Sequence, residues 1–439
     1  MIASRLVLPA VLGLMACPAL AQTSAFGCSQ TETAVGVPSI EGRDGVFYRV
    51  LADLRLRHPM EDAVTEQMGA LSLALAGRGT TLIYVTVPTK SQAMPEFLPP
   101  LAADYAYDST TAQLVYDDIV GRLAARGVLA PNILAALTSE GADALPFFQT
   151  DFHWTSDGAR LAAKVIGEVM KAQPGYDQLG LSTYHTVALE PTPAFSTMRR
   201  SLQAFCVDQL PRVEAMAHLT EETATSVEGV SDIFASGTDQ TGIVLVGTSF
   251  SDSPLANFAG YLSEFSGLDV VNYAVTGGNQ YGAMTSYLTS RDFADNPPRF
   301  LVWENPIYSN LAQYGPDPLD ELIAAAGDTC GTNLPATRTG SNTLSADLRG
   351  VTLTPGDVIL ADLGTDGPRE VLFTLTTAAG VTRSALMQRS DRMLASGRFF
   401  KPLASIYHPD FVTLTATFDR PVSEVSTLTL CPLAKKDAT

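Results

Sequence analysis

Apolar and polar positions along the chain follow two regimes that change near Cys330. Before it, short β-branched runs alternate with longer stretches of helical period. Residues 61–76, 111–126 and 159–172 carry small and apolar side chains at helical spacing, and 255–265 and 281–291 read as further helices. Residues 81–87, stopped by Pro88, and 243–246 are apolar without alternation, the pattern of strands buried on both faces. Residues 269–273 and 299–303 read as two more strands. Strand, turn and helix in repetition predict an α/β unit, a parallel sheet with flanking helices. Residues 22–45 read as an irregular lead-in, and 173–240 as loop with short helices.

After Thr332 the chain becomes rich in Thr and Val, with alternation and frequent turn residues. Residues 351–354, 371–375, 411–418 and 425–430 read as strands, which predicts an all-β module, a β-sandwich. The expected organisation is a signal peptide over 1–21, an α/β domain over 22–330 and a β-rich module over 331–439.

The N-terminus changes the picture of where the chain works. Arg5 is its lone positive charge, and residues 6–16 are apolar but too short to span a bilayer as a mature helix. Ala19-Leu20-Ala21 fits a small-x-small cleavage site. A rival reading takes Leu14-Met15-Ala16-Cys17 as a lipoprotein box with a tether at Cys17. Beyond it stand Cys28, Cys206, Cys330 and Cys431, an even number with no Cys-x-x-Cys pair. Disulfides in an oxidising compartment suit them better than a metal. Of the three possible pairings, Cys28 with Cys206 and Cys330 with Cys431 is favoured, because it gives one bridge per domain; free buried thiols are the alternative.

The net charge is −18, which speaks against a nucleic-acid partner. It is uneven: 11 Lys or Arg against 10 Asp or Glu follow Cys330, so the rest carries −19. Arg383, Arg389, Arg392, Arg398 and Lys401 cluster in the C-terminal part. They read either as a site for an anionic ligand or as a solvated mixed-charge face.

Candidate chemistry lies in two segments about a hundred residues apart. Asp151-Phe152-His153-Trp154-Thr155 puts a carboxylate two residues from an imidazole, just before a helix that Thr155 would cap. Val246-Gly247-Thr248-Ser249 ends an apolar strand, and ligands gather at the carboxyl ends of such strands. A serine nucleophile needs a base, and the base an orienting acid. Ser249, His153 and Asp151 could supply all three. The Ser249 N–H, with Gly277 and Gly278 after the next strand, could receive an oxyanion. A catalytic zinc usually takes three protein ligands; His58, His185, His218 and His408 show no ligand spacing, so no metal is expected.

Asp151-Phe152-His153-Trp154-Thr155, Val246-Gly247-Thr248-Ser249-Phe250-Ser251, Asn257-Phe258-Ala259-Gly260 and Val302-Trp303-Glu304-Asn305-Pro306 together resemble the alginate O-acetyltransferases of the AlgX/AlgJ type, which are SGNH-hydrolase-like. The resemblance covers essentially the whole mature chain, and its C-terminal β module is similar to the carbohydrate-binding module of the AlgX branch. It implies Ser249 as nucleophile, His153 as base and Asp151 as its partner, in an order permuted from ordinary SGNH esterases. It also implies a role for Tyr308, as an active-site tyrosine or a packed loop aromatic. The usual Gly-x-Asn-Asp block is not evident, and Trp303-Glu304-Asn305 occupies the corresponding strand end. Pro88-Thr89-Lys90 resembles a family segment, with Lys90 either meeting an anionic sugar or lying solvated in a loop. Arg349, Arg383 and Arg389 are candidates for uronate carboxylates, and at most one of Phe399 and Phe400 for stacking on a sugar.

The implied function is a periplasmic O-acetyltransferase. It would move an acetyl group through a Ser249 ester to hydroxyls of an acidic polysaccharide such as polymannuronate or alginate. No cofactor is expected, and the implied partners are a membrane acetyl-relay protein and the polysaccharide secretion complex. An acetyl-polysaccharide esterase and a non-catalytic polysaccharide-binding scaffold stand as alternatives.

Overall fold

β-Branched residues restrict the backbone towards extended conformations and pack well on a pleated surface. They dominate three strands of the central sheet, β1 (Thr81–Val87), β2 (Ile243–Val246) and β3 (Val270–Asn272); the fourth, β4 (Phe300–Pro306), begins with the apolar run Phe300-Leu301-Val302-Trp303. All pairings are parallel, in the order β1-β4-β2-β3. β4 is buried at every position. Its register sets Val246 beside Trp303, so β2 gives way to Gly247 next to Glu304. The computed structural model describes residues 23–138, 145–223, 242–327 and 329–433; the expected signal peptide and Cys17 lie outside the described residues. No helix among them is long and apolar enough to cross a membrane.

The helices flank this sheet where the period placed them, as Asp62–Ala76, Ser109–Ala125, Ser156–Lys171 and Phe258–Ser266. Thr155 caps Ser156–Lys171, its hydroxyl accepting from Gly158 N at 3.2 Å. Ala159, Ala162 and Ala163 of that helix are fully buried. Gly167 packs so closely on Phe258–Ser266 that a Cβ would stand 2.9 Å from the Phe265 carbonyl oxygen. The predicted helix at 281–291 is two, Gly282–Leu288 and Arg291–Asp295, because the Ser290 hydroxyl caps the second by accepting from Phe293 N. A further helix, Asp317–Gly327, precedes the β region. Within 173–240 the chain forms an antiparallel hairpin, Tyr184–Pro193 with Glu214–Glu222, around the helix Thr197–Gln203. Its strands are largely exposed and lack the apolar pattern that would announce them.

Nine strands follow among the described residues: β5 (Thr332–Asn333), β6 (Ala336–Gly340), β7 (Thr343–Asp347), β8 (Asp357–Asp362), β9 (Glu370–Thr377), β10 (Thr382–Gln388), β11 (Arg398–Pro402), β12 (Phe411–Phe418) and β13 (Thr427–Pro432). They form antiparallel sheets in the orders β6-β7-β12-β9-β10 and β11-β8-β13-β5. Val371, Phe373, Leu375, Leu414 and Ala416 fill the space between them. The strand expected at 351–354 is absent. Pro355 follows it, and Asp357 takes the Thr354 N–H at 2.6 Å instead.

The second face of β11-β8-β13 packs on the α/β core through Val358, Leu360, Phe400 and Cys431. This corrects two expectations. Phe399 and Phe400 do point to opposite faces, but both faces are buried, Phe399 in the sandwich and Phe400 in the α/β core. Neither can stack on a sugar. The basic cluster is largely a seam: Arg389 pairs with buried Glu321, Lys401 with Asp317, and Arg392 donates to Thr276 O at 2.9 Å. Arg389 is therefore engaged by a carboxylate of its own chain rather than offered to a uronate. Arg349 and Arg383 are exposed; Arg349 pairs with Asp347 at 3.0 Å and Arg383 donates to Tyr407 O.

Disulfides join Cys28 to Cys206 and Cys330 to Cys431. The second closes the β region over a separation of 101 residues. The double variant Cys330→Ser/Cys431→Ser is expected to lose about 2–5 kcal/mol of stability, read by denaturant unfolding.

Candidate active site

The segment 147–155 approaches its helix as a narrow loop, closed by Phe148 N to His153 O and Thr155 N to Pro146 O. Within it Asp151 is 4% exposed. Its Oδ1 accepts from His153 N at 2.9 Å and lies 2.6 Å from His153 Nδ1. Its Oδ2 accepts from the Ser196 hydroxyl. Burial alone would raise this carboxyl. The hydrogen bonds and charge of His153, with the Ser196 hydroxyl, outweigh it and bring the pKa to about 2. The imidazole is thus held by an ionised partner. Its other nitrogen, Nε2, lies 2.7 Å from Ser249 Oγ. One continuous hydrogen-bonded relay joins Asp151, His153 and Ser249. Trp154 links the same two segments from below, donating from Nε1 to Phe250 O at 2.9 Å.

Ser249 opens the short helix Ser249–Asp252, so its N–H is among the groups a helix start leaves without an intrahelical partner. The turn that presents it rests on Glu304. This fully buried carboxylate accepts from Thr248 N at 2.8 Å, from the Thr248 hydroxyl at 3.1 Å and from the Ser251 hydroxyl at 2.9 Å. Gly247 is required by this close approach: a Cβ there would stand 2.6 Å from Glu304 Oε2 and 2.9 Å from Ser251 Oγ. Gly247→Ala is expected to cost about 1–3 kcal/mol in thermal unfolding, as overpacking does.

Glu304 also gives a pH signature. Burial raises its carboxyl from 4.5 to about 7 against the hydrogen bonds of Thr248 and Ser251. Between those values the folded chain keeps a proton that the unfolded chain has released. This contribution to stability is full below about pH 4.5 and is lost as pH rises through 7. The stability of the wild type relative to Glu304→Gln should therefore fall by on the order of 3 kcal/mol over that window, read by urea unfolding at a series of pH values.

The other sequence candidates separate. Gly278 is not an oxyanion donor in this arrangement, because its N–H is committed to Val275 O at 3.0 Å. Gly277 takes φ +72°, and the Arg392 guanidinium lies beside it. Asn305 is fully buried and donates to Gln280 O at 3.3 Å. Tyr308 lies near the relay through Arg49, whose guanidinium stands 4.9 Å from its ring centre and 4.3 Å from that of Phe152. Burial pushes the Tyr308 hydroxyl up, so it stays protonated. Arg49 is held in turn by Asp53. Lys90 is neither a solvated loop lysine nor available to a sugar, being 1% exposed and bonded to three backbone carbonyls. Ser196, Glu304 and Arg49 escaped the sequence reading as site residues, whereas Lys90 is singled out there in a different role. Only Glu304 left a signal, a carboxylate inside an apolar strand.

A cleft of about 1050 Å³ runs along the seam, lined among others by Asn279, Tyr314, Arg369, Arg389 and Lys401. None of the relay residues lines it.

Residues 40–307 match the family described as "SGNH hydrolase-like domain, acetyltransferase AlgX". The alginate biosynthesis protein AlgX of Pseudomonas aeruginosa is 30% identical over 68% of this chain and 61% of its own length. The probable alginate O-acetylase AlgJ of the same organism is 28% identical over 57% of this chain and 66% of its own. The chain thus spans about 60% of the length of the AlgX relatives it matches. The solved structure of P. aeruginosa AlgX superposes with a TM-score of 0.75 over 95% of this chain and 99% of that one, at 23% identity. The O-acetyltransferase domain of Pseudomonas putida AlgJ does so with 0.51 over 65% of this chain and 98% of that one, at 24% identity. These superpositions speak for a shared fold, and the match over residues 40–307 shows that the chain belongs to the family of SGNH hydrolase-like, AlgX acetyltransferase domains.

Proposed function

We propose that the chain is an exported O-acetyltransferase acting on an acidic polysaccharide. The observation that carries the reading is the unbroken relay from Asp151 through His153 to Ser249. Ser249 Oγ attacks the carbonyl of an acetyl donor while His153 Nε2 takes its proton, and Asp151 stabilises the imidazolium. The leaving group departs with that proton, which leaves an acetyl ester on Ser249. A sugar hydroxyl then attacks the ester. Its proton passes to His153 and on to Ser249 Oγ, and the acetyl group ends on the sugar. The Ser249 N–H faces the oxyanion in both steps.

In the proposed division, residues 22–330 carry the chemistry and 331–439 hold the polymer, with Arg349 and Arg383 as candidate carboxylate contacts and Tyr308 beside the relay. The relatives' names point to alginate as that polymer. The two disulfides fit an oxidising compartment such as the periplasm. A membrane acetyl-relay protein and the secretion complex complete the proposal as partners.

The test supplies the purified chain with 4-nitrophenyl acetate and oligomannuronate and reads products by mass spectrometry. Acetylated oligosaccharide is expected. Free acetate alone would replace the transferase with an esterase, and no turnover by folded protein would leave a binding scaffold.

A further inference from the structure

A buried ammonium is costly unless every N–H finds an acceptor. Lys90 meets that condition without a direct carboxylate partner. It follows β1 at the start of the short helix Lys90–Ala93, which is fixed by a reciprocal cap between Thr89 and Gln92. From there Nζ donates to Phe47 O at 2.8 Å, Gln149 O at 2.8 Å and Asp151 O at 2.9 Å. Three donors meet three carbonyls. A neutral amine has two N–H groups and a lone pair, so it would leave one carbonyl facing that lone pair.

The position of the acceptors gives the cage its meaning. Gln149 and Asp151 belong to the loop that delivers the relay's carboxylate. Phe47 belongs to the short strand Phe47–Arg49, which delivers Arg49. Phe47 N also donates to Gln149 O at 2.8 Å, so strand and loop are tied at one point. We propose that Lys90 is a positioning residue for acetyl transfer: its ammonium fixes the main chain at Asp151 so that the carboxylate meets His153. This rests on the relay reading given under the proposed function.

The surroundings make the charge conditional. The carboxylates of Asp53 and Asp151 favour the ammonium, the Arg49 guanidinium opposes it, and the Tyr48 ring lies 5.9 Å away. Burial is the largest influence and pulls Lys90 from 10.5 down to about 7. Acetylation of Ser249 should therefore decline above about pH 7 as the cage loses its proton. Glu304 titrates over the same range and its ionisation lowers stability, so the decline should persist in Glu304→Gln if Lys90 is its source.

The experiment measures acetyl turnover from 4-nitrophenyl acetate by the wild type, Lys90→Met and Ser249→Ala between about pH 5.5 and pH 9. Lys90→Met is expected to lose roughly 10–100-fold in kcat, as a misplaced catalytic group does. Its KM should stay within about threefold, and the alkaline decline of the wild type should vanish. A folded Lys90→Met with the wild-type kcat and pH profile would overturn the proposal, even if its melting point fell. Should Lys90→Met not fold, the wild type decides. A rate that falls with the titration of the Lys90 ¹³Cε resonance supports the role, and a rate that stays level while that resonance titrates overturns it. Wild-type turnover by Ser249→Ala would instead remove the relay reading beneath it.

Discussion

Ser249→Ala is expected to lower acetyl turnover by on the order of 10⁶ in kcat if the relay acts as a unit. The variant keeps everything else in place. The Thr248 N–H and hydroxyl still rest on Glu304, Trp154 still donates to Phe250 O, and the residue at 249 still offers its N–H. Ser249 Oγ meets only His153 Nε2 among the hydrogen bonds of the described residues, so its removal should move stability little. Catalysis and folding then separate cleanly: the unfolding midpoint stays, and the rate goes.

Asp151→Asn should cost less but still heavily, about 10³–10⁴ in kcat. Asp151 Oδ1 takes both the His153 N–H and the Nδ1–H, which keeps the imidazole lone pair on Nε2, facing Ser249. An amide that turned its NH₂ towards Nδ1 would force the ring proton onto Nε2, and Nε2 could then no longer take the serine's proton. The reverse orientation asks the Ser196 hydroxyl to accept where it now donates. The variant also removes a folded-state carboxylate held near 2. That contribution to stability is present above about pH 4, the carboxyl's ordinary value, and is lost as pH falls through 2. The gap between wild type and Asp151→Asn in urea unfolding should therefore close on acidification, while the kinetic gap at neutral pH stays wide.

What was legible in the sequence was whatever a local pattern encodes. β-Branched runs gave β1 and β2, helical period gave Asp62–Ala76 and Ser156–Lys171, and alternation gave β9 and β12. The spacing of Asp151 and His153 was visible because two residues suffice to put both groups in reach of each other. The rest depends on partners far away in the chain. Ser196 lies 45 residues from the carboxylate it serves and Glu304 56 residues from the turn it supports. Lys90 looked like a loop lysine because nothing within its own segment announces three carbonyls arriving from elsewhere. The basic cluster near residues 383–401 was read as a ligand site or a solvated face. Two of its residues, Arg389 and Lys401, join the β region to the helix Asp317–Gly327, whose Glu321 and Asp317 supply the opposite charges. Gly278 carried the right residue type for an oxyanion turn, but only the fold could show its N–H already committed to Val275.

The most direct measurement is peptide-resolved mass spectrometry on wild-type protein quenched in acid during turnover of 4-nitrophenyl acetate. An acetyl ester on Ser249 is expected, discharged when oligomannuronate is added, with the acetyl group recovered on the sugar. Steady transfer to the sugar with Ser249 unmodified at every time point, or with the ester on another residue, would contradict a Ser249 acyl-enzyme and the relay built around it.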